Sequence, residues 1–274
     1  MSAISTESFM RFLNTHRSIR RYKPDPIDPS LIDTILETSI RGSSSSGNLT
    51  TYSMVLTRDE ARKRRLYEFH FEQEMVLQAP LVITFCADTW RTRRWLRLRK
   101  ARDNFNNFEG FLVAAFDAMI LSQSVALAFE AHGYGICYMG TTLWSAIEIA
   151  EFLHLPETVV PVTSMVVGVP DEDPVKRDRL PLRAYVHDEV YQDPSDERLL
   201  DLYRDREIKG WERYRSMGED VIAEMDRLGI TNLAQYYTSD IKYSPEHSLE
   251  TSRKLWRLLQ EKRFATGIDS APSD

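Results

Sequence analysis

"FLVAAFDAMILSQSVALAFEAHGYGICYMG", residues 111–140, is a strongly apolar stretch. Whether it crosses a membrane or fills a protein core decides the fold. Asp117, Gln123 and Glu130 interrupt it, whereas a spanning helix needs about 20 predominantly apolar residues with few or no charges. The spacing therefore predicts a helix buried in a large soluble core. His132-Gly133 ends that helix, with Gly133 suited to a left-handed C-terminal cap. "GICYMG" then continues the core as a short apolar segment.

Outward from this centre the chain alternates helices and strands. "LVITFCAD" (81–88) is a continuous apolar run, the pattern of a strand buried on both faces. "TYSMVLT" (51–57) and "VVPVTSMVVGVP" (159–170) read as further strands. "ESFMRFLNTH" has helical spacing, and "DPSLIDTILETSIRG" is a clearer helix that Asp28 or Ser30 can cap and Gly42 follows. "ARKRRLYEFHFEQEMVLQAP" reads as a helix with a break, and "SAIEIAEFLHL" follows the 135–140 segment. From about residue 195 the chain turns charged and helix-prone with only narrow apolar stripes. Such a segment packs on the core or wraps a partner subunit rather than folding alone. The expected organisation is α+β: a core over 1–192 and a helical extension over 193–274, ending in a frayed "ATGIDSAPSD".

Composition narrows the function classes. The 274 residues are 42% hydrophobic with a net charge of −6, which argues against general nucleic-acid binding because no global positive field attracts phosphate backbones. Two cysteines, Cys86 and Cys137, are too few for a disulfide framework and fit a reducing cytosol. "MSAISTESFMRFL" lacks the basic and long apolar regions of a secretory start, so a cytoplasmic protein is expected. No H-E-x-x-H, C-x-x-C, G-x-S-x-G or Walker pattern occurs, so no metal site or hydrolase nucleophile is expected. Gly133, Gly135 and Gly140 are wrongly spaced for a dinucleotide fingerprint. "RTRRWLRLRK" (91–100) leaves a mobile cationic lid and a nucleic-acid contact both open.

One short stretch needs a separate explanation. "THRSIRRYKPDPI" (15–27) gathers Arg17, Arg20, Arg21 and Lys23 around Ser18, beside His16. It is either a solvated helix end or an anion site, since guanidinium forks pair with phosphate oxygens and a hydroxyl adds a neutral donor. "RGSSSSGN" (41–48), "GYGICYMGTT" (133–142) and "KRDRLP" (176–181) are further polar or glycine-rich segments that could meet a ligand.

Their order carries more than any one of them. "HRSIRRY", a Ser-rich loop with Asn, "EQEMVLQAPLVITFCAD", "YGICYMG", "VVGVP" and "RDRLP" together resemble the FMN-dependent nitroreductase family, nearest its oxygen-insensitive NADPH nitroreductase and flavin reductase branch. The likeness covers about 16–191. It implies an α+β fold with a mixed sheet flanked by helices, an obligate homodimer, and FMN at the subunit interface. His16, Arg17, Ser18 and Arg20 match the family motif that contacts the flavin phosphate, ribityl chain and pyrimidine edge. Arg177 and Arg179 match a second phosphate-directed cluster, with Asp178 where Pro is usual. Gln73 falls where the family has a flavin-binding Gln. Tyr138, Met139, Gly140 and Thr141 match the segment lying along the isoalloxazine, with Thr141 replacing a Gly and adding a side chain close to the ring. Ser43, Ser44, Ser45 and Asn48 match a loop that the other subunit contributes, although Leu49, Thr50 and Thr51 stand where a Gln commonly follows.

The activity so implied is an NAD(P)H-dependent FMN oxidoreductase. Hydride passes from NADPH (or NADH) through flavin N5 to a flat electron-poor acceptor, a nitroaromatic, quinone or flavin, in a ping-pong cycle. No side chain acts as nucleophile or catalytic acid, because the cofactor carries the chemistry. Other readings stay open: a flavin enzyme of this fold with other chemistry (reductive dehalogenation or flavin cleavage), a non-catalytic FMN-binding protein, and a nucleic-acid module using Arg91 to Arg102. The reading favoured here expects neither nucleic acid nor membrane as a partner.

Overall fold

The computed structural model describes residues 5–266; most of the tail expected to fray lies outside them. The chain divides into two compact units, one running to Val175 and resuming at Thr251, the other Lys176–Glu250. A boundary at 192/193 was expected, and the difference has a physical reason. Leu258, Leu259 and Phe264 are buried with the first unit's core, while the charged segment encloses a small core of its own from Tyr214, Met225, Ile230, Leu233 and Tyr236.

In the first unit the order is α1 (Thr6–Thr15), α2 (Pro29–Gly42), β1 (Tyr52–Thr57), α3 (Glu60–Phe69), α4 (Met75–Gln78), β2 (Leu81–Asp88), α5 (Trp90–Leu98), α6 (Phe108–Ala131), β3 (Gly135–Met139), α7 (Ala146–Phe152) and β4 (Val159–Gly168). The second holds α8 (Asp196–Arg215), α9 (Glu219–Arg227) and α10 (Leu233–Tyr237), and α11 (Pro245–Glu261) begins in it and ends in the first. Local chemistry explains several ends. Asp28, of the two candidate caps, accepts from the Ser30 amide with Pro29 in the first turn of α2. Gly133 closes α6 at φ +83°. The expected break between α3 and α4 falls at Phe71 and Glu72.

The strands form one sheet ordered β1-β2-β4-β3. Every neighbouring pair runs antiparallel, so the mixed sheet implied by the resemblance is, within this chain, an antiparallel one. Both faces are covered. Along β2, Val82 and Cys86 face a cluster with α3, α4, α7 and the end of α11. Leu81, Ile83 and Phe85 face α2 and α6. This alternation is the period of two that a pleated strand imposes, and it explains why β2 reads as an unbroken apolar run. Among the described residues α6 is the one helix long and apolar enough to cross a membrane. It lies instead on the sheet through Ala118, Leu121, Val125, Ala126 and Phe129.

The 16–23 stretch is seated on this frame by a close approach at Gly135. A Cβ there would stand 2.6 Å from Ile19 Cγ1 and 3.0 Å from Pro170 Cγ. Gly135→Ala is therefore expected to cost about 1–3 kcal/mol through overpacking. Gly42→Ala, where a Cβ meets nothing within 4 Å, should change stability by less than about 1 kcal/mol. Urea unfolding of both variants checks this; equal midpoints would remove the steric reading.

Candidate active site

β3 is an edge strand of the chain's sheet, and the basic stretch lies along it. The Ile19 amide donates to the Ile136 carbonyl at 2.9 Å, and the Lys23 amide donates to the Val169 carbonyl at 2.9 Å. Tyr22 bridges to Pro170. These bonds put the Ser18 hydroxyl against the Cys137 thiol, whose pKa burial pushes up. Ile19 and Tyr22 point inward as core residues, while Arg17, Arg20 and Arg21 stand exposed on the rim. Burial at Ile19 and Tyr22, three residues apart, thus sorts this extended run into buried anchors and presented cations.

The cations meet carboxylates that the sequence reading did not single out. His16 Nδ1 lies 2.6 Å from Glu130 Oε1, in the last turn of α6. Arg17 pairs with Asp173 at 2.6 Å and Arg21 with Asp171 at 3.9 Å, and the Arg20 amide donates to Glu172. The visible signal was "PDED" directly after β4. The Arg17 and Arg21 pairs are exposed, and pairs of that kind contribute about 0–1 kcal/mol, so a stronger anion can replace them at little cost.

At its far end β3 leads into residues 138–141. The Tyr138 hydroxyl donates to Ser122 Oγ of α6 at 3.2 Å, and burial raises its phenol pKa. The Met139 side chain is core, so only its backbone can face a ligand. Gly140 is exposed, and a Cβ there would meet nothing within 4 Å. Thr141 Oγ1 sits 2.8 Å from His70 Nδ1 and 3.3 Å from Gln73 Nε2, so its hydroxyl is held by a buried imidazole and by the carboxamide of another expected site residue.

His70 was not anticipated, and nothing in "EFHFEQE" signals it. Burial alone lowers its pKa from 6.5 to about 4, so it is neutral near pH 7. It opens a strained turn, with Phe71 and Glu72 both at φ +56°. For non-glycine residues this costs roughly 1–2 kcal/mol each. The turn is over-determined: the Glu72 amide donates to the Tyr67 carbonyl and the Ser145 hydroxyl to the Phe69 carbonyl, and the Phe71 ring meets Trp144 edge-on at 5.4 Å. Gln73 follows directly, bonded to the His70 carbonyl at 3.1 Å.

The Ser-rich loop is held elsewhere. Ser43 donates to the Ser39 carbonyl of α2 and Ser45 to Asp117 of α6; Ser44 and Asn48 are exposed. Asp117 also accepts from the Ser46 amide and from the Thr51 amide and hydroxyl. The acid that interrupts the apolar helix is thus the anchor of this loop. A carboxylate buried in an apolar helix needs donors, and a neighbouring hydroxyl-rich loop is a signal that could have found them. Arg177 and Arg179 belong to the second unit, where Arg179 lines an open cavity of about 350 Å³ with Arg183, Arg204, Arg206 and Lys209. The 91–102 run is partly internal: Arg93 is buried against Asp103 and Glu157, and Arg91 donates to the Thr50 and Tyr52 carbonyls. No cluster of His, Cys, Asp and Glu among the described residues could hold a metal ion.

Exposed guanidinium groups and a serine hydroxyl beside β3, and open backbone at Gly140 just past its end, therefore lie near one another, with the Gln73 carboxamide bonded to Thr141. That donor set fits a ligand with a phosphate at one end and a flat heteroaromatic at the other, as FMN has.

Comparisons with known proteins identify the family and the fold. Residues 13–169 match the model of the Nitroreductase family. The chain is 32% identical over 186 residues to FMN reductase [NAD(P)H] of Bacillus subtilis, covering 66% of this chain and 74% of that protein. It is 30% identical over 193 residues to the Cr(VI) reductase of Pseudomonas sp. (strain G-1), covering 70% of this chain and 79% of that one. Among solved structures, an oxidoreductase from Bacteroides fragilis superposes with a TM-score of 0.83 at 35% identity, over 93% of this chain and all of that one. The NADPH:FMN oxidoreductase of Vibrio harveyi, complexed with NAD+, gives 0.74 at 26% identity, over 94% of this chain and 98% of that one.

Proposed function

The chain belongs to the nitroreductase family, and from that premise we propose an NAD(P)H-dependent FMN oxidoreductase that reduces a flat electron-poor acceptor by a ping-pong cycle. The acceptor class is nitroaromatic, quinone or free flavin. One observation carries the reading. Ile19, inside the motif of His16, Arg17, Ser18 and Arg20, is bonded to Ile136 of β3, the strand that leads into Tyr138–Thr141, and Gln73 is bonded to Thr141.

FMN, when bound, supplies the hydride carrier. The chain's own residues bind, orient and polarise. Arg17 and Arg20, with Ser18, hold the phosphate end through charge-assisted bonds. The backbone at 139–141, open at Gly140 and anchored by the buried Met139 side chain, would supply amides to the ring. Motif cations reaching the pyrimidine edge, as the resemblance implies, would favour the electron-rich ring. The roles that the resemblance implies for Arg177 and Arg179, and for Ser43, Ser44, Ser45 and Asn48 in a partner's site, are part of this proposal. So is a cytoplasmic homodimer. Exposed apolar side chains on α6 (Phe116, Met119 and Ile120) and Ile40 on α2 support it, since they offer a surface that a second copy can cover.

The visible spectrum of the purified protein, before and after anaerobic NADPH, tests the reading. Flavin bands that bleach on addition and return with a quinone are expected. A colourless protein that takes up no added FMN overturns it.

A further inference from the structure

Resting on the FMN reading above, we propose that His70 is a positioning residue of the flavin site. Its imidazole and its backbone carbonyl clamp Thr141 and Gln73, so that the Gln73 carboxamide turns its oxygen outward as acceptor for a ring N–H.

Hydrogen-bond polarity carries this. The His70 carbonyl oxygen can only accept, so the Gln73 atom 3.1 Å away must be the amide nitrogen. The other proton of the same nitrogen reaches Thr141 Oγ1 at 3.3 Å. Both donors are spent within the protein, and the carboxamide oxygen is left to face the ligand. His70 is wholly buried and its Nε2 has no hydrogen-bond partner. Nδ1 lies 2.8 Å from Thr141 Oγ1, so imidazole and hydroxyl hold each other, one as donor and the other as acceptor according to the tautomer. Thr141 Oγ1 thus accepts from the Gln73 amide and is paired with the imidazole, and these two partners fix its side chain. Burial, which keeps the imidazole neutral, preserves this arrangement.

The ligand chemistry follows. A carboxamide oxygen recognises a donor, and oxidised isoalloxazine carries one ring N–H, at N3. The strained turn at Phe71 and Glu72 is consistent with this role, since strain persists where the surrounding structure must hold one geometry.

FMN and N3-methyl FMN are titrated into the flavin-free protein, and the ratio of their Kd values is read by flavin fluorescence. Wild type is expected to prefer FMN about tenfold, the worth of one hydrogen bond. Thr141→Val and His70→Phe should reduce the preference to about twofold or less, while Thr141→Ser, which keeps the hydroxyl, should retain it. A purely structural role would weaken both ligands equally and leave the ratio unchanged. Thermal unfolding identifies any variant that fails to fold, in which case the remaining one is read.

A wild type that binds both flavins equally overturns the proposal and leaves FMN binding standing. Variants that keep the full tenfold ratio also overturn it. A wild type that binds neither flavin overturns the FMN reading, and this inference with it.

Discussion

Asp117→Ala is expected to destabilise the protein by about 3–5 kcal/mol, close to the largest single-site effect a small domain shows. The carboxylate is buried in α6 and accepts from the Ser45 hydroxyl at 2.6 Å, the Ser46 amide at 3.0 Å, and the Thr51 hydroxyl and amide at 2.8 and 3.3 Å. Bonds to a charged acceptor contribute about 1.5–3 kcal/mol each, and donors left buried without one cost about 1–3 kcal/mol. Ser46 is exposed and can turn to water, whereas Thr51 is fully buried and cannot, which keeps the total below the simple sum. Asp117→Asn keeps an acceptor and should cost roughly half as much. Urea unfolding gives the stability, and amide exchange at Ser46 and Thr51 gives the local effect. Both amides should lose protection in Asp117→Ala. A wild-type midpoint with intact protection would show that the loop holds itself. If the loop serves a partner's flavin site, flavin retention should fall in step with that protection.

The second large effect lies in the arginine run after β2. Arg93→Ala should cost about 3–5 kcal/mol, because removing one partner of a buried ion pair strands the other. Arg93 binds Asp103 bidentately, Nε to Oδ1 at 2.9 Å and Nη2 to Oδ2 at 2.8 Å, and reaches Glu157 through Nη1 at 2.7 Å. The guanidinium is 4% exposed and the carboxylates 37% and 27%. Water can therefore reach the stranded acids, and the lower end of the range is expected. Arg93→Lys should not rescue, since a point charge cannot serve two acids in a planar fork.

The pH dependence has a definite sign. The Arg93 guanidinium holds the Asp103 carboxyl below its ordinary range. The resulting stability is present above the unfolded carboxyl pKa and is lost as pH falls through the folded one. Chemical denaturation of wild type and Arg93→Ala from neutral to acid pH should show this slope only in wild type. Parallel curves would remove the pair as its source.

The same residue shows where sequence reading stopped. "RTRRWLRLRK" reads as one basic surface because charge is visible in a sequence and burial is not. In the structure, Arg91 and Arg93 bind α5 to its surroundings, so the run is in part an internal anchor. Thr141 makes the same point within the candidate site. Its side chain is expected close to the ring, and the partners its hydroxyl finds, His70 and Gln73, lie some seventy positions away in the chain. Elements whose pattern is local were legible nearly to the residue. "LVITFCAD" is β2, and His132-Gly133 ends α6.

The amino-acid sequence alone determined the strands and most of the helices, that the central helix seats on a core (by one face, the other staying exposed at Phe116, Met119 and Ile120), and the set of residues that resembles a flavin-binding family. These depend on periodicity, caps and short motifs, all of which are properties of neighbouring residues. Only the tertiary structure decided which carboxylate answers each arginine, that Asp117 anchors the serine loop, that the last helix rejoins the first core, and that His70 orients Gln73. Each of these depends on residues distant in the chain coming within a few ångströms of one another in an interior where a polar group must find a partner, and that pairing is set by packing rather than by order along the chain.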